Sequence, residues 1–336
     1  MKRLLYTLGM AVGMALTMAS CQSLTDPNDV DYVVKPDTLV TKYIKRPAIV
    51  SYTGDEGKGQ RTKTTRFFYD AQGKLIMSVF TYRSDDNPGR DYVDSVRYTW
   101  DGHVIANTDR VQHTVNYDGM IEETKLVNEG SSWSYGYMDN GGTRYLDHFV
   151  RRDATGSETD YVHYEWKDDY MVSLDGVNYG RNNHDIYTYS YSDGFQANNG
   201  WLPIWTKFME EVAGDDDICI AYPEMFGLLT KKLPNEEDYK YEYKTEEYID
   251  SIGETQTITT TVNRVTTYTY EFGVDGYVEG CYVEDIVTKT NDYNFCDLNG
   301  DGIITSDERN YRETSEYRYN DRYAITWESM PALVWQ

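Results

Sequence analysis

An acidic stretch near the C-terminus, DLNGDGIITSDE at residues 297–308, has the residue types and spacing of a calcium-binding loop. Calcium takes six to eight oxygen ligands at about 2.3–2.6 Å, and a short segment supplies them only if the chain turns sharply midway. Gly302 stands at position 6, where that turn is needed. The spacing predicts one structural Ca²⁺ ion, whose ligands are Asp297, Asn299, Asp301, the carbonyl of Ile303, Thr305 and Glu308.

A plain hairpin turn is the alternative interpretation of this stretch. Asn-Gly and Asp-Gly pairs favour the type I′ turn, and both pairs occur at residues 299–302. A turn explains the glycines but not the acid at position 12, Glu308, so the pattern favours calcium. The stretch resembles EF-hand and dockerin loops only as far as the loop itself, because Arg309 and strand-like sequence follow it. Without a helix pair to open, we expect the ion to brace a hairpin rather than to operate a switch.

Motifs of enzymes are not found in the sequence, so no catalytic residue is predicted. The five histidines have no metal-ligand spacing, and there is no HExxH, GxSxG or nucleotide-binding loop. The segment GDEGKGQ at residues 54–60 lacks the Ser or Thr that must follow Lys58 in a phosphate loop. A polysaccharide hydrolase that uses paired carboxylates stays as the alternative function, since 56 Asp and Glu residues offer many pairs.

The N-terminus has the order of an export signal. Lys2 and Arg3 precede an apolar run that is too short for a membrane span, which predicts a lipoprotein signal peptide over residues 1–20. Residues 18–21, Met-Ala-Ser-Cys, resemble the bacterial lipobox, with Met18 where Leu is usual. That resemblance implies acylation of Cys21 and a lipid bilayer as partner. The alternative is an ordinary signal peptide with an incidental cysteine.

Charge and cysteine content exclude several classes of protein. Loss of residues 1–20 removes two cations and no acid, so the formal net charge falls from −24 to −26, which excludes nucleic acid as a partner. Three further cysteines, Cys219, Cys281 and Cys296, are an odd number and do not form a disulfide scaffold. Since Cys281 and Cys296 lie on one extended run, we expect all three to be free.

The sequence pattern predicts one all-β domain. Residues 21–40 are read as a flexible tether, and residues 41–336 as a large antiparallel sheet of successive hairpins, curled or barrel-like. The 33 tyrosines favour half-exposed strand positions. A helical insertion at about 201–230 interrupts the sheet: its apolar residues recur at helical spacing in WLPIWTKFMEEVAG, and a second helical turn begins at Pro223.

Several segments resemble the Bacteroides-type lipoproteins of the family DUF4595, described as having a porin-like fold. The carriers of this resemblance are the lipobox, the helical insertion and the segments YDAQGKL, YEFGVDGYV and LLTKKLPNEEDYKYEYKTEE. The resemblance covers residues 41–336 and implies a barrel-like sheet with no known activity. We therefore expect a non-enzymatic outer-membrane lipoprotein, on the periplasmic or the cell-surface face, that binds glycan or protein through exposed Tyr and Trp.

The lipid anchor gives the first prediction. Replacing Cys21→Ser removes the thiol that carries the acyl chains, and several chains bury about 0.8 kcal/mol per methylene in the bilayer. The protein should then move from the membrane fraction to the soluble fraction and lose acyl label. Unchanged labelling and partitioning would show that the lipobox interpretation is wrong.

Overall fold

The computed structural model describes most of the chain between Asp31 and Leu333. The described residues are 31–34, 40–55, 60–85, 89, 91–107, 110–168, 170–178, 183–191, 217–228, 232–250, 252–298 and 302–333. The predicted signal peptide and Cys21 lie outside them. Among the described residues, no helix is both long enough and apolar enough to cross a membrane.

Seventeen β-strands account for most of the described chain. Alternating Thr, Val and Tyr residues favour extended backbone, and Asp-Gly or Gly-centred turns separate the strands. The strands are β1 (Asp31–Val34), β2 (Val40–Asp55), β3 (Gln60–Tyr69), β4 (Leu75–Ser84), β5 (Tyr92–Asp101), β6 (Val104–Asn107), β7 (Val111–Val115), β8 (Ile121–Leu126), β9 (Ser132–Asn140), β10 (Thr143–Arg152), β11 (Glu158–Lys167), β12 (Tyr170–Asn178), β13 (Asn183–Ser190), β14 (Glu236–Ile249), β15 (Glu254–Phe272), β16 (Val278–Tyr293) and β17 (Arg312–Pro331).

Strands β2 to β17 form a closed antiparallel barrel. Each strand pairs with its neighbours in the chain, and the ring closes where β17 pairs with β2, from Pro331↔Tyr43 to Asn320↔Asp55. The predicted all-β fold is confirmed, and the sheet is a closed barrel of 16 strands. We call the end at which the chain enters β2 and leaves β17 the base, and the opposite end the rim.

The barrel wall is much taller on one side than on the other. Strands β14 to β17 contain 14, 19, 16 and 20 residues, whereas β6, β7 and β8 contain only 4, 5 and 6. At about 3.3 Å per residue, β15 is roughly 60 Å long and β7 roughly 17 Å. The tall side therefore projects beyond the short strands, and the predicted calcium loop joins β16 to β17 at its rim.

The base is filled by part of the long connection between β13 and β14. One α-helical turn, α1 (Ile218–Ala221), and one 3-10 turn, η1 (Pro223–Phe226), pack in the same apolar cluster as strand residues from around the ring. Tyr222 donates its hydroxyl to the carbonyl of Gly73 (2.8 Å) and accepts the amide of Leu75 (2.6 Å). Arg46, itself buried, bonds the Ala221 carbonyl at 3.1 Å. We call residues 217–228 the base plug.

The structure bears on two predictions made from the sequence, the helical insertion and the flexible tether. The predicted helix at residues 201–214 lies outside the described residues, whereas the helical turn expected at Pro223 is present as η1. The predicted flexible tether is wrong in part, because residues 31–34 form β1 and pair with residues 40–43 of β2. Composition did not reveal this four-residue strand, because the two prolines and the acidic residues of the region are typical of a linker.

The tyrosines are more deeply buried than their type suggests. Among the described residues, eight tyrosines are buried, and these are Tyr98, Tyr135, Tyr145, Tyr164, Tyr189, Tyr222, Tyr268 and Tyr277. The half-exposed location predicted for tyrosine is therefore wrong for this group, because a wide barrel must be filled with large side chains. Cys219, Cys281 and Cys296 form no disulfide, as expected, and burial raises the pKa of the Cys281 thiol to about 12.

A glycine in the base plug gives the second prediction. Gly227 has φ +65°, and a Cβ there would lie 2.6 Å from the backbone nitrogen of Leu146. Gly227→Ala should therefore lower the free energy of unfolding by about 2–4 kcal/mol, through backbone strain and overpacking together. Gly141→Ala is the control, because Gly141 has φ +63° but no heavy atom within 4 Å of the new Cβ. Denaturant unfolding of both variants tests this, and equal losses would contradict the close packing of the plug.

Candidate functional site

The outer face of the tall wall is charged. On β14 the exposed residues include Asp238, Lys240, Glu242 and Lys244, which alternate with half-buried tyrosines. On β17 every even-numbered residue from Arg312 to Glu328 is exposed. A membrane-spanning barrel instead presents an apolar band about 25 Å tall to lipid, and Arg or Lys near its middle costs about 2–4 kcal/mol each. The outer faces of β14 and β17 therefore lack such an apolar band.

The inner face of the same wall is lined by tyrosines. Cross-strand pairing places them in adjacent rows on the side that carries the buried residues Tyr268, Val283 and Ile325. We call this set the tyrosine wall, and it consists of Tyr187, Tyr239, Tyr241, Tyr243, Tyr317 and Tyr319. The Tyr187 and Tyr239 rings are 4.5 Å apart, and Tyr241 is parallel to Tyr239 within 9° at 6.4 Å. Such rings offer flat apolar faces together with hydroxyl groups.

A buried ion pair lies on the same inner face, toward the base. Glu237 is fully buried and accepts hydrogen bonds from Arg264 (3.1 Å) and from the hydroxyl of Tyr268 (3.2 Å). Burial and the neighbouring Glu237 carboxylate both raise the pKa of Tyr268, so its hydroxyl stays protonated and remains a donor. Burial lowers the pKa of Arg264, but Glu237 and Asp285 raise it by more, and the guanidinium keeps its charge.

A second carboxylate lies two strands away in the same row. Asp285 on β16 and Glu237 on β14 both pair across the sheet with Thr266 of β15. Asp285 is buried, and its carboxylate accepts a hydrogen bond from the Thr266 hydroxyl. The interior thus changes from an apolar base to a layer of paired charges, and then to a half-exposed tyrosine wall nearer the rim.

The described ends of the predicted calcium loop meet between β16 and β17. An isolated bridge pairs Phe295 with Arg309, and the amide of Cys296 donates to the carbonyl of Glu308 at 2.7 Å. The Glu308 carboxylate is buried and accepts the amides of Leu298 (3.0 Å) and Thr305 (2.9 Å). The two ends of the loop are therefore held together by hydrogen bonds.

The loop also turns where a calcium ligand set requires it. Gly302 has φ +78°, and its amide donates to the carboxylate of Asp297 at 2.8 Å. Hydrogen bonds thus join Asp297 to Gly302 and Thr305 to Glu308, and Ile303 is 66% exposed. Asn299 and Asp301 lie outside the described residues. Calcium coordination by all six stays a prediction. Within the described part of the chain, no cluster of three or more His, Cys, Asp or Glu side chains is arranged to hold a metal.

Exposed aromatic side chains do not include the described tryptophans. Trp133 is buried. Trp100, Trp166 and Trp327 are half-buried, and each of these three donates its indole N–H to a backbone carbonyl at 2.7–2.8 Å. The predicted use of exposed Trp for ligand binding is therefore wrong for these four residues. The sequence analysis did not identify Arg264 and Glu237. Each is a charged residue at an inward-facing position of an alternating strand, and that pattern could have identified them.

Comparison with known proteins identifies the fold. No protein-family model matches the chain, and no curated protein matches its sequence. The structure is similar to a porin-like protein from Bacteroides uniformis, with a TM-score of 0.55 and 14% sequence identity over 83% of this chain and 98% of that chain. A porin-like protein from Bacteroides vulgatus overlaps with a TM-score of 0.42 and 10% identity over 83% and 97% of the two chains. The porin-like fold implied by the sequence resemblance is thereby confirmed, and membership of DUF4595 stays a prediction.

Proposed function

We propose that this protein is a non-enzymatic outer-membrane lipoprotein whose barrel is a ligand-binding cup, anchored to the membrane rather than inserted through it. The observation that carries the proposal is the polarity of β14 and β17: exposed charges such as Lys240 and Arg318 lie on the outer face, and the tyrosine wall lies on the inner face. A charged outer face favours water, and a lipid chain on Cys21 then supplies the attachment.

The base plug argues for a cup instead of a channel. Residues 217–228 pack against strand residues at the end where β2 begins. Because the chain enters the barrel at the base, the acylated N-terminus attaches at that same end, and the rim points away from the membrane. A ligand would then enter from the rim side and meet the tyrosine wall.

A saccharide is the ligand class that this wall fits best. Tyr187, Tyr239 and Tyr241 offer stacked rings on a concave surface, and stacking on an aromatic ring combined with hydrogen bonding to hydroxyls suits a sugar. A folded protein partner would need a broad, accessible patch, whereas these tyrosines line the inner side of a barrel.

The alternative of a carboxylate-based hydrolase has less support. Glu237 already accepts hydrogen bonds from Arg264 and Tyr268 on its two oxygens, and Asp285 accepts one from Thr266. A general acid must exchange a proton with the substrate, and carboxylate oxygens that already accept hydrogen bonds from the protein are poorly placed to do so. These contacts favour a binding role for the cluster.

Calcium binding at residues 297–308 completes the proposed function, with one structural ion that braces a long hairpin. The ends of the loop are already held together, so an ion that neutralises the Asp297, Asp301 and Glu308 carboxylates would exchange the hydrogen bonds on the Glu308 oxygens for calcium contacts within the loop. Millimolar extracellular calcium is enough even for a weak site of this type.

The calcium site gives the third prediction. A bound ion stabilises the folded protein by RT ln(1 + [L]/Kd), about 2.7 kcal/mol at a hundredfold excess over Kd. The soluble Cys21→Ser protein should therefore melt higher in millimolar calcium than in chelator, and Glu308→Gln should remove most of that difference. Magnesium should replace calcium poorly, because its octahedral shell does not accept a bidentate carboxylate easily.

Asp307→Asn is the matched control for the calcium experiment. Asp307 lies in the same loop and its loss removes the same charge, but it is exposed and occupies position 11, which is not a ligand position. This variant should keep the calcium-dependent rise in melting temperature. If calorimetric titration finds no calcium binding at millimolar concentration, the calcium prediction is wrong and the hairpin-turn interpretation holds.

The tyrosine wall gives the fourth prediction. Tyr241→Ala removes a ring that lies between Tyr239 and Tyr243 in the stack, and should weaken saccharide binding by about tenfold, the loss expected for one aromatic contact. Tyr248→Ala is the control, since Tyr248 is on the outer face of the same strand and is 61% exposed. Titration with a panel of oligosaccharides measures both. Equal losses in the two variants would remove the inner wall as the binding surface.

A further inference from the structure

Arg264 is a cation that lies inside the barrel, at the boundary between its buried and its half-exposed layers. It lies on the inner face of β15, in a row with Tyr239 of β14 and Val287 of β16. Its side chain is 18% exposed, whereas that of its partner Glu237 is 1% exposed. The guanidinium therefore stands between the buried layer of charges below it and the tyrosine wall above it.

The surroundings of Arg264 hold it in one orientation. Glu237 bonds one terminal nitrogen at 3.1 Å, and the ring of Tyr239 lies 4.8 Å from the guanidinium carbon. Tyr268 in turn fixes the second oxygen of Glu237 at 3.2 Å. A guanidinium clamped by a carboxylate and an aromatic face has lost its rotamer freedom before any ligand arrives, which lowers the entropy lost on binding.

The guanidinium keeps donor capacity that the described residues do not use. Its Nε is buried and has no hydrogen-bond partner among the described residues. An arginine carries five N–H donors, and the hydrogen bond to Glu237 uses one of them. A ligand that brings acceptor oxygens to this guanidinium would be favoured, and a carboxylate matches its planar geometry with two parallel hydrogen bonds.

We infer that the cup selects a saccharide bearing a carboxylate, with Arg264 as the residue that recognises that group while the tyrosine wall stacks against the sugar ring. This inference rests on the saccharide binding proposed above and specifies its chemistry. One carboxylate fits better than a polyanion, because the chain has a formal net charge of −24 and repels highly charged ligands. Glu237 and Tyr268 then act as positioning residues for Arg264.

The test uses the soluble Cys21→Ser protein and a panel of disaccharide pairs. Each pair consists of a disaccharide with one uronic-acid carboxylate and the same disaccharide as its methyl ester, so that the two members differ by one negative charge and one methyl group. Calorimetric titration should show the acid binding at least tenfold more tightly than the ester, since a charge-assisted bidentate contact is lost in the ester. Arg264→Gln should abolish this preference without abolishing binding of the ester.

Two further variants keep the test decisive. Arg264→Gln leaves Glu237 buried without its cation, so the double variant Arg264→Gln/Glu237→Gln removes both charges and serves if the single variant does not fold. Arg318→Gln is the control on the outer face, where Arg318 bonds the exposed Glu316 at 3.1 Å, and it should keep the preference for the acid.

The outcomes separate this inference from the proposed function. Equal binding of acid and ester by the starting protein, or a preference for the acid that survives both Arg264 variants, overturns the role of Arg264 and leaves saccharide binding intact. If no member of any pair binds, saccharide binding in the cup is itself wrong, and the inference fails with it.

Discussion

The pairing of β17 with β2 is the constraint on which the rest of the structure depends. Every other contact in the ring joins strands that are neighbours in the chain, whereas this one joins the C-terminal strand to the start of the domain. Without it the meander would be an open sheet with two long edges, each a row of unpaired backbone groups. Closure removes both edges and divides the alternating side chains into an inside and an outside.

A ring of 16 strands creates a problem that smaller barrels do not have. Eight strands enclose a space that their own side chains fill, whereas barrels of about 16 strands leave a channel. This chain fills the base with residues 217–228 and with large aromatic side chains, including Tyr145, Tyr164 and Phe149. Nearer the rim the interior becomes polar and half-exposed, and there the fold leaves Arg264 and the tyrosine wall beside each other.

The porin-like fold and the chemistry of the surface lead to different functional readings. Membrane barrels place apolar residues outward, whereas β14 and β17 have exposed charged residues on their outer faces. Both arrangements form the same backbone hydrogen bonds, because strand pairing does not depend on which face of the sheet contacts water. The shared architecture therefore identifies the fold, and only the residues on each face indicate what the barrel does.

The sequence by itself determined the all-β class, the hairpin order and the free cysteines, because alternation and turn residues act over a few neighbouring positions. The sequence also predicts a calcium loop at residues 297–308, because the spacing of its candidate ligands is local. Only the tertiary structure decided that the sheet closes, that eight tyrosines are buried, and that Glu237, Arg264 and Asp285 meet in the interior. These features depend on which strands become neighbours in space and on which face turns inward, and the closing pair joins segments too distant in the chain for a local pattern to specify.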